Sequence, residues 1–358
     1  MSEKPGIFTI YCQLMKLRVV ILLQITAICA ILAHDLMVRN GSLEGDRTWY
    51  ETLYACVITL AGGTLAAGGS NAINMVYDRD IDPGMSRTRS RPIPSGLITP
   101  KHAMFFGIIT AITGSAIFLT LHWKAAFWAL FSVIYYVIIY TIWLKRRTSQ
   151  NIVIGGVAGS TPPLIGWICA SVVSIPNDLN PFNLGSPVPW MLFLLIFCWT
   201  PPHFWALALY RSGEYAKVGI PMMPDVKGAH RTLFESKIYC ILLLLLGSVP
   251  CFWPQAGLPL AWAFVAGGLT LWYSISVFKI DPNEELDSDG RMPMAFASFM
   301  RSLGYLAWMF LTFVYVVAVP QNQIWWWSAA LLLIIPVTNR LMLSWKASMK
   351  NKRVLNAE

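Results

Sequence analysis

NAINMVYDRDIDPGMSRTRSRPIPSG, residues 71–96, directly follows a Gly-rich apolar run of membrane-spanning character. Asn74, Asp78 and Asp82 recur at i, i+4 and i+8, with Asn71 three before Asn74. On a helix all four share one face, while Asp80 falls off it. Carboxylates stacked this closely raise each other's pKa unless a cation sits between them. A hard divalent ion is the natural answer, and Mg2+ fits best, because it takes carboxylate and phosphate oxygens and keeps several waters. Arg87, Arg89 and Arg91 then alternate in a segment that Pro83, Pro92 and Pro94 hold out of regular helix. Three guanidiniums beside a carboxylate-bound metal suit a diphosphate, whose oxygens Arg grips two at a time. A merely solvated charged loop would give no reason for the helical register of Asn and Asp.

Composition places this loop in a membrane. Of 358 residues, 56% are hydrophobic and 13% charged, and the mean hydropathy is +0.55, too apolar for a soluble domain of average make-up. Apolar runs of spanning length fall at about 18–36, 52–76, 102–121, 125–144, 151–173, 188–210, 235–253, 257–279 and 295–319, with a shorter tenth near 324–343. All but Arg39, Arg47 and Lys124 of the 27 Lys and Arg residues fall on one side of this parse. By the positive-inside rule that side is cytoplasmic, which puts both termini and the Asp/Arg loop there, provided the tenth run spans. The net charge of +9 is thus a matter of topology, and nucleic acid is not an expected partner. Seven cysteines show no CxxC or Cys/His metal spacing and read as reduced core fillers. The N-terminal MSEKPGIFTIYCQLMKLR has neither a cleavage-site pattern nor an Arg/Ser-rich presequence, so no removed segment is expected.

Two further polar stretches stand on the same side. TPPHFWALALYRSGEYAKVGIPMMPDVKGAHRT, residues 200–232, offers Glu214 and Asp225 for a metal, with Arg211, Lys217, Lys227 and Arg231 for phosphate. LKRRTSQNIVIGGVAGSTPPLIGW, residues 144–167, carries Lys145, Arg146 and Arg147 ahead of a span that its glycines and Pro162-Pro163 should break or pack closely. The three cations serve equally well as a positive-inside signal. Among five histidines, His203 stands inside a span beside a proline pair, where an imidazole could approach a metal, relay a proton or simply pack.

These stretches resemble the heme O synthase (protoheme farnesyltransferase) branch of the UbiA-type intramembrane prenyltransferases. The likeness rests on NMVYDRDIDPGMSRTRSRPIPSG, WLKRRTSQNIVIGGVAGSTPPLIGW, WTPPHFWALALYRSGEYAKVGIPMMPDVKG and, more weakly, FASFMRSLGYL, and covers most of residues 16–310. It implies an all-α polytopic bundle of nine to ten spans around a central cavity capped by the two acidic loops, in a bacterial inner membrane. Residues 1–322 would form that domain, and 323–358 an extra helix with a basic tail. The implied reaction moves a farnesyl group from farnesyl diphosphate to a vinyl group of heme B and adds water, giving heme O. Mg2+ would be held by Asn74, Asp78, Asp82 and Glu214, with Asp78, Asp82 and Arg87 in catalysis. The diphosphate would meet Asn71, Arg87, Arg89, Arg91, Arg211 and Lys217. Heme would meet His203, Trp167, Trp205 and, through its propionates, Lys145, Arg146 and Arg147. Tyr135, Tyr136, Tyr140 and Phe204 are further candidates to shield the cation or stack on the porphyrin. Heme A synthase or an oxidase assembly factor would be the protein partners. Gly213-Glu214 replaces the family's usual Asp pair, leaving Glu214 and more distantly Asp225 as carboxylates of the second loop. KLRVV stands where Lys-Pro-Arg is more usual, a difference expected to leave the chemistry untouched. Two other readings are open: prenyl transfer to an aromatic ring, which bound heme would argue against, and a transporter, which flux without a prenylated product would reveal.

Overall fold

Thr48 opens the helix that carries the acidic stretch. Its hydroxyl accepts from the Glu51 amide while the Glu51 carboxylate accepts from the Thr48 amide, a capping box that satisfies two orphan donors. The computed structural model describes residues 5–287, 290–319 and 328, and among them it is all helix and turn. The helices are α1 (Ile7–Leu14), α2 (Leu17–Arg39), α3 (Trp49–Tyr77), α4 (Pro100–Ile117) and α5 (Trp123–Ile134, continued by a π-helix over Tyr135–Leu144). There follow α6 (Asn151–Ala170), α7 (Val188–Tyr210), α8 (Met223–Ser248), α9 (Leu260–Phe278) and α10 (Pro293–Ala318). Among the described residues nine helices, α2 to α10, are long and apolar enough to cross a membrane. They match the nine expected runs. The tenth run, and with it the expected division at 322/323, lies outside the described residues.

Each span packs on the next, and the circuit closes where α10 meets α2; α2–α6 and α7–α10 contacts cross it. The most extensive contact joins α3 to α4. Gly62 and Gly69 face Gly107 and Gly114, and a Cβ on Gly114 would stand 2.3 Å from the Ala66 nitrogen and 2.6 Å from the Gly62 carbonyl oxygen. Small residues let two backbones meet in lipid, where helix association rests on close packing. All seven cysteines are free, as the sequence led us to expect.

α6 runs unbroken through Pro162-Pro163, so of the expected break or close packing it is the packing that holds: a Cβ on Gly166 would stand 2.2 Å from the Ala27 carbonyl oxygen of α2. Pro162 has no N–H for the Ala158 carbonyl. That oxygen accepts from Thr161 Oγ1 at 3.0 Å and from Ser132 Oγ of α5 at 2.9 Å. Hydroxyls thus replace the missing amide, as apolar surroundings require.

The end opposite the acidic loops is stapled. Lys124, fully buried, donates to the Pro176 and Asn183 carbonyls and to Asp178 at 2.8 Å each. Asp35, 1% exposed, pairs with Arg47 at 3.2 Å and accepts from Thr52 at 2.6 Å. Two of the three cations that the sequence set apart from the rest therefore close this end.

Candidate active site

α3 stops at Tyr77, and Asp78–Asp80 and Asp82–Gly84 form two 3-10 turns. The helical register expected through Asp82 is corrected here. Pro83 disfavours helical backbone at the residue before it, so the chain tightens instead of continuing. Asp78 and Asp82 nevertheless stay buried, at 1% and 2% exposed, while Asp80 faces out.

Each buried polar group of this face holds a partner from elsewhere. Asp78 Oδ2 accepts from Lys145 Nζ at 2.5 Å, and both Asp82 oxygens accept from Arg91 Nη1 at 2.8 Å. Asn74 Oδ1 accepts from Lys16 Nζ at 2.6 Å, and Asn74 Nδ2 donates to Thr141 Oγ1 at 3.1 Å. Asn71 donates to the Met15 carbonyl at 3.0 Å and accepts from the Tyr136 hydroxyl at 3.4 Å. Thr141, Tyr136 and Lys145 all come from the π-helical segment or the residue after it. Its wider turn is visible in the Lys145 amide, which bonds the Tyr140 carbonyl at 2.9 Å, and such insertions recur at functional sites. Gly155 makes room for it, because a Cβ there would lie 2.3 Å from the Tyr140 ring.

Lys16 is the residue here that the sequence did not single out; the departure of KLRVV from Lys-Pro-Arg lies at Leu17, beside it, and not at Lys16 itself. It is the one described non-glycine residue with left-handed backbone, at φ 52° and ψ 49°. An outlier of this kind costs energy and persists where the surroundings over-determine it. Burial, with Arg91 and Lys145 adding to it, pushes its ammonium down to about 7 against the pull of Asp78 and Asp82. Burial lowers Lys145 too, opposed by Asp78. Lys16, Lys145 and Arg91 therefore crowd three cations around two carboxylates.

The second loop reaches the first through an apolar cluster. Ile81 and Met85 pack with Ile152, Ala208, Tyr215, Ile220 and Met222. Ser86 Oγ donates to Glu214 at 3.5 Å, and Asn151 Nδ2 donates to the Pro221 carbonyl at 3.2 Å. Glu214 itself is held by Arg211 at 3.1 Å and faces Arg291 at 3.8 Å. Asp225 accepts from the Gly213 amide at 3.2 Å and so fixes the loop. Arg87, Arg89, Lys217 and Arg147 are exposed around this double loop.

The residues expected to meet heme scatter. Lys145 is not at a propionate rim but on Asp78, carried round by the π-helical turn. Arg146 grips both Asp80 oxygens at 2.7 Å and the Tyr77 carbonyl at 3.0 Å. Trp167 and Trp205 are 1% and 0% exposed, so neither presents a ring face to a porphyrin. The His203 ring lies between Trp199 and Phe299, at 4.2 and 4.7 Å, and its Nδ1 meets Ser302 Oγ at 2.5 Å. α7 and α10 are joined there.

Among the described residues no three His, Cys, Asp or Glu side chains converge. The donor set still suits a hard cation, because Asp78 Oδ1 is buried without a partner beside Asn74 and Asp82. An unpartnered buried carboxylate oxygen is costly and calls for a cation or donor. Glu214, committed to two arginines, stands outside that set.

Residues 45–300 match the model of the UbiA prenyltransferase family. The chain belongs to the UbiA prenyltransferase family. Within it, this UbiA prenyltransferase is 37% identical over 303 residues to the protoheme IX farnesyltransferase of Bartonella tribocorum, covering 84% of this chain and 88% of the relative. A protein of the same name from Symbiobacterium thermophilum is 41% identical over 268 residues, covering 74% of this chain and 78% of the relative. The UbiA fold is seen directly in a homolog from Archaeoglobus fulgidus bound to DMAPP and Mg2+, with TM-score 0.58, 16% identity, and coverage of 86% of this chain and 98% of that one.

Proposed function

We propose that this chain transfers a farnesyl group from farnesyl diphosphate to a vinyl group of heme B, with addition of water, giving heme O. The observation that carries the reaction class is the buried pair Asp78 and Asp82, set among Lys16, Lys145 and Arg91 with one carboxylate oxygen unpartnered. The name shared by the relatives supports farnesyl as donor group and protoheme as acceptor.

Asn74, Asp78 and Asp82 would hold Mg2+, which when bound supplies positive charge against the leaving diphosphate. With Lys16 protonated, the three cations exceed the two carboxylates by one charge. One Mg2+ and a trianionic diphosphate ester would bring the site to neutrality. Lys16, Lys145 and Arg91 then turn from Asn74, Asp78 and Asp82 toward the diphosphate, with Arg87, Arg89, Arg211 and Lys217 around the rim. Negative charge grows on that group as the allylic C–O bond breaks, so these cations act chiefly in the transition state. Tyr136, which donates to Asn71, and Tyr140, stacked on it at 5.5 Å, would shield the allylic cation by a ring face. The vinyl carbon of heme attacks that cation, and water quenches the resulting positive charge with loss of a proton.

The skew of Lys and Arg toward the loop end supports a bacterial inner-membrane protein with both termini and the active site on the cytoplasmic side. A farnesylated porphyrin partitions into lipid, so a membrane-embedded heme A synthase or an oxidase assembly factor fits as the next handler.

Lys16→Ala is expected to raise KM for farnesyl diphosphate by about 10- to 100-fold, the range of a charged hydrogen bond, while heme KM stays within about threefold. An unchanged KM for the diphosphate would remove Lys16 from its binding. The acceptor is tested by offering heme B and a hydroxybenzoate to the same vesicles with farnesyl diphosphate. Prenylated benzoate alone would overturn the heme assignment and leave the prenyl-transfer site in place.

A further inference from the structure

Arg79 follows Asp78 directly but points the other way. While Asp78 faces the bundle, Arg79 lines an open cleft of about 780 Å3 between the loop ends of α3 and α4, with Val76, Lys101, Met104, Phe105 and Ile108. The volume falls within the range of roughly 300–1,000 Å3 usual for ligand sites. Its lining divides in two. Arg79 and Lys101 form a cationic rim, and the α4 side chains form an apolar wall, with Phe105 68% and Ile108 44% exposed.

The rim charge is uncompensated. Asp80, the nearest acid along the chain, is taken by Arg146 through both oxygens at 2.7 Å. Among the described residues neither Arg79 nor Lys101 meets a carboxylate; Arg79 Nη1 donates to the Val76 carbonyl at 2.9 Å, which fixes the guanidinium at the mouth and leaves its other donors uncommitted. A paired phosphate and acyl chain answer both halves of such a cleft at once. A soluble phosphate would satisfy the rim and leave the Phe105 wall bare, whereas a zwitterionic lipid would bring its own cation against Arg79.

We propose that this cleft binds an anionic phospholipid, its phosphate between Arg79 and Lys101 and one acyl chain along Met104, Phe105 and Ile108. Basic pockets between spans at the membrane surface take anionic head groups, and two such cations amount to about 30-fold in preference over a zwitterionic lipid. The proposal is independent of the prenyl acceptor, because it rests on a face that Asp78 does not share. It also has a structural corollary: a lipid held by Arg79 would brace the turn on which Asp78 sits.

Native mass spectrometry of the full chain released from nanodiscs tests this, with phosphatidylglycerol and phosphatidylcholine at equal content. Wild type is expected to retain one phosphatidylglycerol with about 30-fold preference, and the Arg79→Gln/Lys101→Gln double variant to lose that preference. Both side chains are exposed, so the variant should fold, which its elution volume will report. Equal retention of the two lipids by wild type would overturn the proposal, as would an undiminished preference in the double variant. Displacement of the lipid by millimolar inorganic phosphate would also overturn it, since the cleft would then be a phosphate site without a lipid wall.

Discussion

Asp78→Asn is expected to lower prenyl transfer on the order of 10^3-fold or more, the scale lost when charge stabilisation is removed from a transition state. Asn keeps the shape of Asp78 but removes the charge that both Lys145 and a bound cation require. The unpartnered Oδ1 is the atom with most to lose, because the other oxygen already accepts from Lys145. Folding should survive: the Lys145 side chain is 14% exposed, and its flexible stem lets the ammonium reach water when its partner is gone. Asp82→Asn should act in the same direction, by releasing Arg91. Helix content and elution volume check the fold, and product formation reads the effect. Near-normal turnover in both variants would remove the carboxylates from the chemistry.

Gly114→Leu should have the largest effect on stability. A Cβ at that position would stand 2.3 to 2.8 Å from three backbone atoms of α3, at Ala66, Gly62 and Leu65. Backbone does not step aside as a side chain does, so α4 must pull away from α3. Overpacking costs typically 1–3 kcal/mol when side chains can adjust, and here we expect more than about 3 kcal/mol. α3 carries Asn71, Asn74 and Asp78, so activity should fall with the folded fraction. Gly159→Ala is the control, because nothing lies within 4 Å of its added Cβ. Thermal unfolding in detergent separates the two: a melting point lowered by many degrees for Gly114→Leu, and one within a degree or two of wild type for Gly159→Ala. Equal melting points would mean that α3 and α4 are not held by this contact.

The nine spans were legible because a run of apolar residues has few other uses, and the acidic loop because charges at the end of such a run are costly without a purpose. The residue set at the first loop was legible in part. Asn74, Asp78 and Asp82 are gathered, but by two tight turns rather than one helix face, since Pro83 acts on the residue before it. Lys16 escaped notice because its contact with Asn74 crosses 58 positions and depends on a left-handed backbone that no local pattern announces. Lys145 was placed with the heme for a similar reason: only the π-helical turn, a product of packing around Tyr140 and Gly155, swings it 67 positions back to Asp78. Trp167, Trp205 and His203 mark the limit of reading aromatics in an apolar chain. A ring that fills core and a ring that stacks on a ligand have the same residue type and the same neighbours in sequence, and only burial separates them.

The most direct test combines the purified chain in vesicles with heme B, farnesyl diphosphate and Mg2+, and reads the pigment by chromatography and mass. Heme O formation predicts a product heavier than heme B by one farnesyl group plus one hydroxyl group, absent when EDTA is added. Unaltered heme B in the presence of folded protein, with the farnesyl group found on another acceptor or still on its diphosphate, would contradict it.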